Sequence, residues 1–158
     1  MEKYKSQLIF LFRISLGWIL LYAGLSKVTN PDWSAAGFLS NAKTFPGLYE
    51  WFASPAVLPF TNFLNEWGQL ILGIAIILGI AITISSLLSA LMMLLYYFPV
   101  LTFPMIGANS YIIDEHIIYA LGFLLLAALK AGDHYGFGKQ WSNLSFWKNY
   151  PRLKKWLV

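Results

Sequence analysis

Four apolar segments stand out along the chain, at about residues 7–26, 66–82, 87–103 and 116–130. A membrane-spanning α-helix needs about 20 mostly apolar residues. The second and fourth segments are shorter, so we expect them to extend into neighbouring polar residues or to lie in a locally thin bilayer. The pattern predicts an all-α integral membrane protein, a four-transmembrane-helix bundle that forms a single membrane domain over residues 1–158.

Composition supports a membrane protein over a soluble one. Hydrophobic residues make up 58% of the chain and charged residues only 11%, whereas soluble domains carry about 25% charged residues. So few charges could not cover the surface of a water-soluble fold. The net charge of +4 does not indicate a nucleic-acid partner, because most of the basic residues lie outside the apolar segments and cluster near the termini. The expected partner is the lipid bilayer.

Lysine and arginine set the predicted orientation. Four crossings place both termini on one side, and cytoplasmic loops carry the excess of basic residues. The terminal side carries Lys3, Lys5, Lys130, Lys139, Lys148, Arg152, Lys154 and Lys155, and the other side carries Lys27 and Lys43. We therefore expect a multi-pass protein of the cytoplasmic membrane with both termini in the cytoplasm.

Two connecting regions are rich in aromatic residues. The outer loop, residues 27–65, is long for a loop without structure of its own, and prolines punctuate its aromatic residues. We expect short interfacial helices in it, around Trp33–Lys43 and Pro46–Ala53. The cytoplasmic tail, residues 131–158, mixes tryptophans with lysines, which is typical of an amphipathic segment on an anionic membrane surface.

Polar residues at the outer ends of the segments are the candidate catalytic groups. Lys27 directly follows the first segment, Glu66 opens the second and His116 opens the fourth. We expect them at a similar depth, where Lys27 and Glu66 could form a salt bridge. Such a ring would suit a small anionic or quinone-like ligand, because cations donate to oxygens and carboxylate or imidazole groups relay protons. The alternative is that polar residues collect at any membrane interface.

Four further residues are candidates for binding a cofactor: Arg13, Trp67, Tyr96 and Tyr97. Arg13 is a charge inside the first apolar segment. It either snorkels or makes a structural hydrogen bond, or it forms a buried ion pair or donates to a bound ligand. Tyr96 and Tyr97 either line a pocket or belong to an aromatic belt. Trp67 adjoins Glu66.

Several cofactors are excluded by the residues the chain lacks. It contains no cysteine, which excludes iron–sulfur clusters, covalent c-type haem and thiolate metal sites. His116 and His134 lie at opposite ends of the fourth segment, about 27 Å apart along a helix, so they cannot ligate one haem. We expect no haem, iron–sulfur cluster or metal on this chain.

Parts of the sequence resemble the DoxX/DoxD family of membrane proteins. The run Arg13–Lys27 is similar to the family's first helix and the run Glu66–Gly79 to its second, and the turn Gly132–Gly138 also resembles family members. The resemblance covers most of residues 8–140. The long outer loop and the extended tail are more like the DoxD branch.

The resemblance implies a redox role. DoxD is similar to the large subunit of thiosulfate:quinone oxidoreductase, which joins two thiosulfates to tetrathionate and passes the electrons to membrane quinone. A quinone-linked oxidoreductase subunit is therefore the leading hypothesis, with quinone as a diffusible electron acceptor. By family position the resemblance points to Arg13, Lys27 and Glu66, whereas His116 rests on the sequence pattern alone.

Other functions stay open. A non-catalytic scaffold or assembly subunit of a respiratory or detoxifying membrane complex is the main alternative. A small transporter or channel fits less well, because the segments carry few polar groups. The resemblance leaves three kinds of protein partner: a DoxA-like subunit, another membrane-complex subunit, and a second copy of the chain.

Overall fold

The computed structural model describes residues 2–107 and 110–157, and most of this part of the chain is helical. The helices are α1 (Lys5–Val28), α2 (Ala36–Ser40), α3 (Pro46–Phe52), α4 (Leu58–Phe63), α5 (Gln69–Leu78), α6 (Ile82–Val100), α7 (Glu115–Ala128), α8 (Gly138–Ser142), α9 (Phe146–Asn149) and α10 (Pro151–Leu157). Short 3-10 turns occur at Glu2–Tyr4 and Ala131–Asp133. Within the described ranges, α1 and α6 are long and apolar enough to cross a membrane, and α7 is a shorter apolar helix.

The second long helix begins earlier than the apolar pattern predicts. A π-helical turn, Leu64–Gly68, joins α4 to α5, so the chain is helical from Leu58 to Leu78. At about 1.5 Å per residue this helix is roughly 30 Å long. The predicted start at residue 66 is wrong because polar residues such as Thr61 and Asn65 interrupt the apolar pattern without interrupting the helix. The loop predicted for 27–65 is correspondingly shorter.

The break between the second and third helices also differs from the prediction. The chain turns at Gly79 and Ala81, which both have left-handed backbones with φ of 72° and 47°. The predicted third segment, 87–103, therefore begins at Ile82. Its first turns contain three serines that interrupt the apolar pattern, of which Ser86 and Ser89 are fully buried, and Ser89 donates to the carbonyl of Ser85 at 2.7 Å.

The third helix ends at Val100 and continues into strands, which corrects the purely helical prediction. In the described residues there are three two-residue strands, β1 (Leu101–Thr102), β2 (Met105–Ile106) and β3 (Ser110–Tyr111), in one antiparallel sheet. Proline 99 lacks an N–H, and Pro104 disfavours a helical conformation at the residue before it, so the helix does not reach residue 103. The sheet connects α6 to α7.

Helix packing is closest where glycines face a neighbouring backbone. Helix α1 packs on α5, and α6 packs on α7. A methyl group on Gly73 would lie 2.5 Å from the backbone nitrogen of Leu21, and one on Gly24 would lie 2.5 Å from that of Leu70. Small residues at such positions let two helices approach until their backbones touch. The contact fixes α1 against the second helix along most of its length.

The two ends of the bundle carry different connections. We call the end with α2, α3 and the sheet the loop end, and the end with Lys5 and the tail from Ala131 the terminal end. Helices α2 and α3 lie within the stretches where interfacial helices are predicted. In the tail, the indole of Trp147 is buried and donates to the carbonyl of Trp141 at 2.6 Å. The tail is therefore folded on itself, and its place on an anionic membrane surface stays a prediction.

Candidate functional site

A large cavity lies at the loop end, between the second long helix and α6. Its volume is about 440 Å³, within the usual range of about 300–1,000 Å³ for small-molecule sites. We call it the apolar pocket. Most of its wall is aliphatic or aromatic, and it includes Phe38, Phe52, Leu72, Leu88, Met92 and Leu95. An environment of this kind favours a lipophilic ligand over a hydrophilic one.

The polar part of the pocket wall is a pair of side chains from its two helices. The hydroxyl of Tyr96 donates to Oδ1 of Asn65, and Nδ2 of Asn65 donates to the carbonyl of Thr61 at 2.8 Å. All of these residues line the pocket. Asn65 lies in the π-helical turn, a type of irregularity that is frequent at functional sites. The pair is therefore available to hydrogen-bond a carbonyl or hydroxyl group of a ligand.

One side of the pocket is open to the outside of the protein. The lining residues there are well exposed: Phe60 63%, Ile71 58%, Leu91 53% and Leu88 46%. They are all apolar and lie on the flanks of the second helix and α6. This mouth lets a long apolar chain leave the pocket without crossing a polar surface.

The loop helices α2 and α3 close the pocket at the loop end. Since Pro99 has no N–H, it cannot bond to the carbonyl of Leu95 one turn earlier in α6. The hydroxyl of Tyr49 in α3 donates to that carbonyl at 3.0 Å, and the backbone N–H of Lys43 donates to the carbonyl of Pro99 at 2.9 Å. Burial raises the pKa of the Tyr49 hydroxyl. The carbonyls of Leu95 and Pro99 are thus the acceptors that hold the loop over the pocket.

His116 lies beside the pocket wall and is held by an acid. Asp114 caps α7: its Oδ1 accepts from the backbone N–H of His116 at 3.0 Å, and its Oδ2 lies 2.6 Å from Nδ1 of the same residue. The ring of His116 packs edge-on against that of Tyr96, with 6.3 Å between centroids. A row of four side chains therefore leads from the loop end to the pocket, in the order Asp114, His116, Tyr96 and Asn65.

Lys27 is placed by a different set of contacts from those predicted. Its Nζ donates to Oε1 of Gln69 at 2.6 Å and to the carbonyl of Ala23 at 3.0 Å, and it lies 5.4 Å from the ring centroid of Trp33. Within residues 2–107 and 110–157, no salt bridge joins it to Glu66. Glu66 lies in the π-helical turn rather than at a helix start, and Gln69 takes the position facing Lys27.

The other candidate binding residues do not line the apolar pocket. Tyr97 is only 7% exposed, and its hydroxyl donates to the carbonyl of Ile112 at 2.5 Å, which fastens α6 to the segment before α7. Trp67 is 43% exposed. Of the tyrosine pair, the structure brings only Tyr96 to the pocket.

Arg13 lies at the terminal end, away from the pocket. It is fully buried, and its Nη2 donates to the carbonyl of Tyr135 at 3.1 Å. Among the described residues, its Nε and Nη1 have no hydrogen-bond partner. A methyl group on Gly79 would lie 1.7 Å from Nη1, and one on Gly136 would lie 2.1 Å from it. The guanidinium fits between two backbone segments that only glycine leaves open.

Two site residues escape the sequence pattern, Asn65 and Gln69. Both are amides in or beside an apolar stretch, and that isolation is the signal that could have identified them. The π-helical turn sets the register that directs Asn65 to Tyr96 and Gln69 to Lys27, and the sequence pattern does not reveal this turn. No group of three or more metal-ligating His, Asp or Glu side chains occurs in the described ranges, and the absence of a metal stays a prediction.

These features define a helical membrane protein with a lipophilic pocket at one end. The chain belongs to the DoxX family, whose profile matches residues 8–102, from α1 to the strand after α6. The match confirms the resemblance to the DoxX family and places the chain among membrane proteins, and the likeness to the DoxD branch stays a prediction. The turn Gly132–Gly138 lies beyond it. No curated protein matches the chain, and no solved structure does either.

Proposed function

We propose that the chain is the membrane subunit of a quinone-linked oxidoreductase, with four membrane-spanning helices, and that it binds membrane quinone in the apolar pocket. The observation that supports this is a lipophilic cavity with one hydrogen-bonding pair, Tyr96 and Asn65, and an apolar mouth. A quinone has the same division, since its ring carries two carbonyl oxygens and its tail is a long hydrocarbon.

The fit suggests one pose for the quinone. The ring lies near Tyr96 and Asn65, and a carbonyl oxygen accepts a hydrogen bond from the second amide hydrogen of Asn65, because the hydroxyl of Tyr96 donates to Oδ1 of Asn65 and orients that amide. The tail leaves through the mouth beside Ile71 and Leu91, which are well exposed. Enclosure by apolar side chains strengthens the polar contacts at the ring, because the local dielectric is low.

In the proposed reaction, the quinone accepts the electrons that the oxidation of thiosulfate releases. Two thiosulfate ions form the central S–S bond of tetrathionate and release two electrons, and quinone takes up those electrons with two protons to become quinol. Asp114 and His116 support proton delivery, because they lie next to Tyr96 at the pocket wall. Glu66, one residue after Asn65, is a second candidate for that step.

Lys27 is the proposed contact for the anionic substrate. Its ammonium lies at the loop end, between Gln69 and the face of Trp33. A dianion such as thiosulfate would be attracted to this cation and would replace the neutral amide as its main partner. A DoxA-like subunit, another membrane-complex subunit or a second copy of the chain completes the enzyme in this proposal.

The test measures two quantities on the purified, detergent-solubilised chain: binding of a short-chain quinone, and thiosulfate-dependent reduction of that quinone. Replacement of Tyr96 by Phe removes the hydroxyl at the pocket and should weaken quinone binding about tenfold. Tyr97→Phe is the matched control, because that hydroxyl bonds Ile112 outside the pocket. Glu66→Gln and Lys27→Met should remove turnover while quinone still binds.

The outcomes separate the alternatives. Equal quinone binding by the Tyr96→Phe and Tyr97→Phe variants would contradict the assignment of the pocket. Binding without reduction, even when the chain is purified from its native membrane with its partners, would favour a scaffold or assembly subunit. Unchanged turnover in both Glu66→Gln and Lys27→Met would remove these residues from the mechanism.

A further inference from the structure

A second cavity lies at the terminal end, where the second long helix ends and α6 begins. Its volume is about 270 Å³, and Gly79, Ala81 and Ile82 form its helical side. The rest of its wall consists of five polar or charged residues, Lys130, Asp133, Lys139, Ser142 and Lys154, together with Gly138 and Trp141. We call it the cationic cavity. It is too small for a whole lipid but large enough for a compact polar group.

The lysines of the cationic cavity come from separate parts of the chain. Lys130 follows α7, Lys139 lies in α8 and Lys154 lies in α10. Folding brings these like charges around one space, which is unfavourable unless an anion compensates them. Asp133 supplies one negative charge, but its Oδ1 lies against Gly138 at the start of α8. The wall keeps an excess of positive charge.

The backbone at Lys130 is an independent observation. Its φ and ψ of 46° and 50° are left-handed, a conformation that glycine and asparagine adopt more readily than a lysine does. Lys130 directly follows the C-cap of α7, where a left-handed residue commonly ends a helix, and a lysine in place of the usual glycine or asparagine is a reason to look for a function of its side chain. The side chain of Lys130 lines the cationic cavity, so we look for its function there.

We propose that the cationic cavity binds a phosphate group, and that the phosphate belongs to the headgroup of an anionic phospholipid. Several ammonium groups can donate to phosphate oxygens, whereas the Ser142 hydroxyl donates to the carbonyl of Lys139 at 2.8 Å. Helix α6, which is long and apolar enough to span a membrane, begins at this level, and the ends of spanning helices lie at headgroup depth. Basic pockets at such positions are suited to lipid headgroups. Inorganic phosphate shares the chemistry and is the second source to test.

The experiment compares lipid retention by the full-length chain in detergent, measured by native mass spectrometry after exposure to phosphatidylglycerol or phosphatidylcholine. The Lys130→Asn, Lys139→Gln double variant should retain phosphatidylglycerol at least tenfold less well than the unmodified chain. Lys148→Gln is the matched control, because this exposed lysine of the same tail does not line the cavity. Inorganic phosphate is titrated separately by calorimetry in the absence of phospholipid.

Lys130→Asn alone separates a binding role from a structural one. Asparagine tolerates the left-handed backbone, so the melting temperature measured without added lipid should stay the same or rise. Phosphatidylglycerol should raise the melting temperature of the unmodified chain more than that of this variant, because a ligand that binds only the folded state stabilises it.

Each outcome decides the proposal. Selective retention of phosphatidylglycerol that the double variant loses and Lys148→Gln keeps supports the lipid headgroup. Binding of inorganic phosphate that the double variant loses, without lipid selectivity, supports the phosphate site and assigns its source to the solution. If both ligands bind the double variant and Lys148→Gln equally well, the cationic cavity is not a phosphate site.

Discussion

The two ends of the bundle are built by opposite means. At the loop end, α2 and α3 are attached through side-chain and backbone hydrogen bonds to carbonyls near Pro99, and they close over a cavity with an apolar wall. At the terminal end, Gly79, Gly132 and Gly136 bring backbones together around the buried guanidinium of Arg13, beside a cavity lined by lysines.

The difference shows how one short chain can offer two kinds of binding surface. A lid made of a loop leaves space beneath it, because it contacts α6 at a few points, such as Phe38 against Tyr96 and Phe45 against Phe98. At the terminal end, Gly79, Gly132 and Gly136 bring the backbones into contact, and we call this contact the glycine joint. It leaves no space at the contact itself, and the charged side chains of the tail lie around it. The loop end is therefore suited to a lipophilic ligand and the terminal end to an anion.

The largest expected effect comes from breaking the glycine joint. Gly79→Ala forces a side chain onto a left-handed backbone and places its methyl group 1.7 Å from Nη1 of Arg13. We expect the free energy of unfolding to fall by about 3 kcal/mol or more. The control is Gly47→Ala at the loop end, where an added methyl group has nothing within 4 Å. Thermal unfolding in detergent measures both, and similar melting temperatures would contradict this account of the joint.

A smaller effect is expected from detaching the lid, which consists of α2 and α3 over the apolar pocket. Tyr49→Phe removes the donor to the Leu95 carbonyl, which Pro99 leaves unpaired within α6. An unsatisfied buried carbonyl costs about 1–3 kcal/mol. Hydrogen exchange should therefore become faster in α2 and α3 while the terminal end keeps its protection. Tyr111→Phe, at an exposed tyrosine, should leave exchange unchanged. Faster exchange spread over the whole bundle would show that the lid is not a separate unit.

Obstructing the mouth should affect ligand binding without destabilising the protein. Leu91→Trp adds bulk at an exposed position of the pocket wall, and we expect short-chain quinone to bind about tenfold more weakly, which is about 1.4 kcal/mol. Leu94→Trp places the same side chain on α6 at a partly exposed leucine outside the wall. Equal losses in the two variants would place the binding site elsewhere.

The smallest expected effect is a pH dependence confined to the loop end. Burial raises the pKa of Tyr49 above its ordinary value of about 10. The folded state thus favours the neutral phenol, and this contribution is fully present below about pH 10 and is lost as the pH rises through the folded-state pKa. The difference in unfolding free energy between the unmodified chain and Tyr49→Phe should be constant up to about pH 10 and then shrink. A difference that grows above pH 10 would reverse the assigned direction.

The sequence pattern finds long helices more reliably than their ends. The apolar segments identify α1, α6 and α7 because these helices bury or expose apolar residues along their whole length. The second helix begins at Leu58 rather than residue 66, because a π-helical turn accommodates Asn65 and Glu66 inside it. An argument from hydrophobic periodicity assumes a regular helix, so a polar turn inside a helix is interpreted as a loop.

The candidate site was only partly accessible to sequence reasoning. Tyr96 and Tyr97 are neighbours of the same type, and their different surroundings depend on which side of α6 each one faces. The contact between Lys27 and Gln69 depends on the register that the π-helical turn sets. The burial of Arg13 depends on a tail more than 100 residues away in sequence that returns to cover it. None of these is a local property of the chain.

The sideways mouth of the apolar pocket has a consequence for how occupancy is controlled. If the mouth faces the lipid, as the proposed quinone site requires, a ligand that enters between Ile71 and Leu91 arrives by lateral diffusion within the membrane and does not pass through the aqueous phase. Its effective concentration is then its mole fraction among the lipids. Diluting the reconstituted protein with more lipid at a fixed amount of ligand empties the pocket, whereas diluting the whole suspension with buffer leaves it filled.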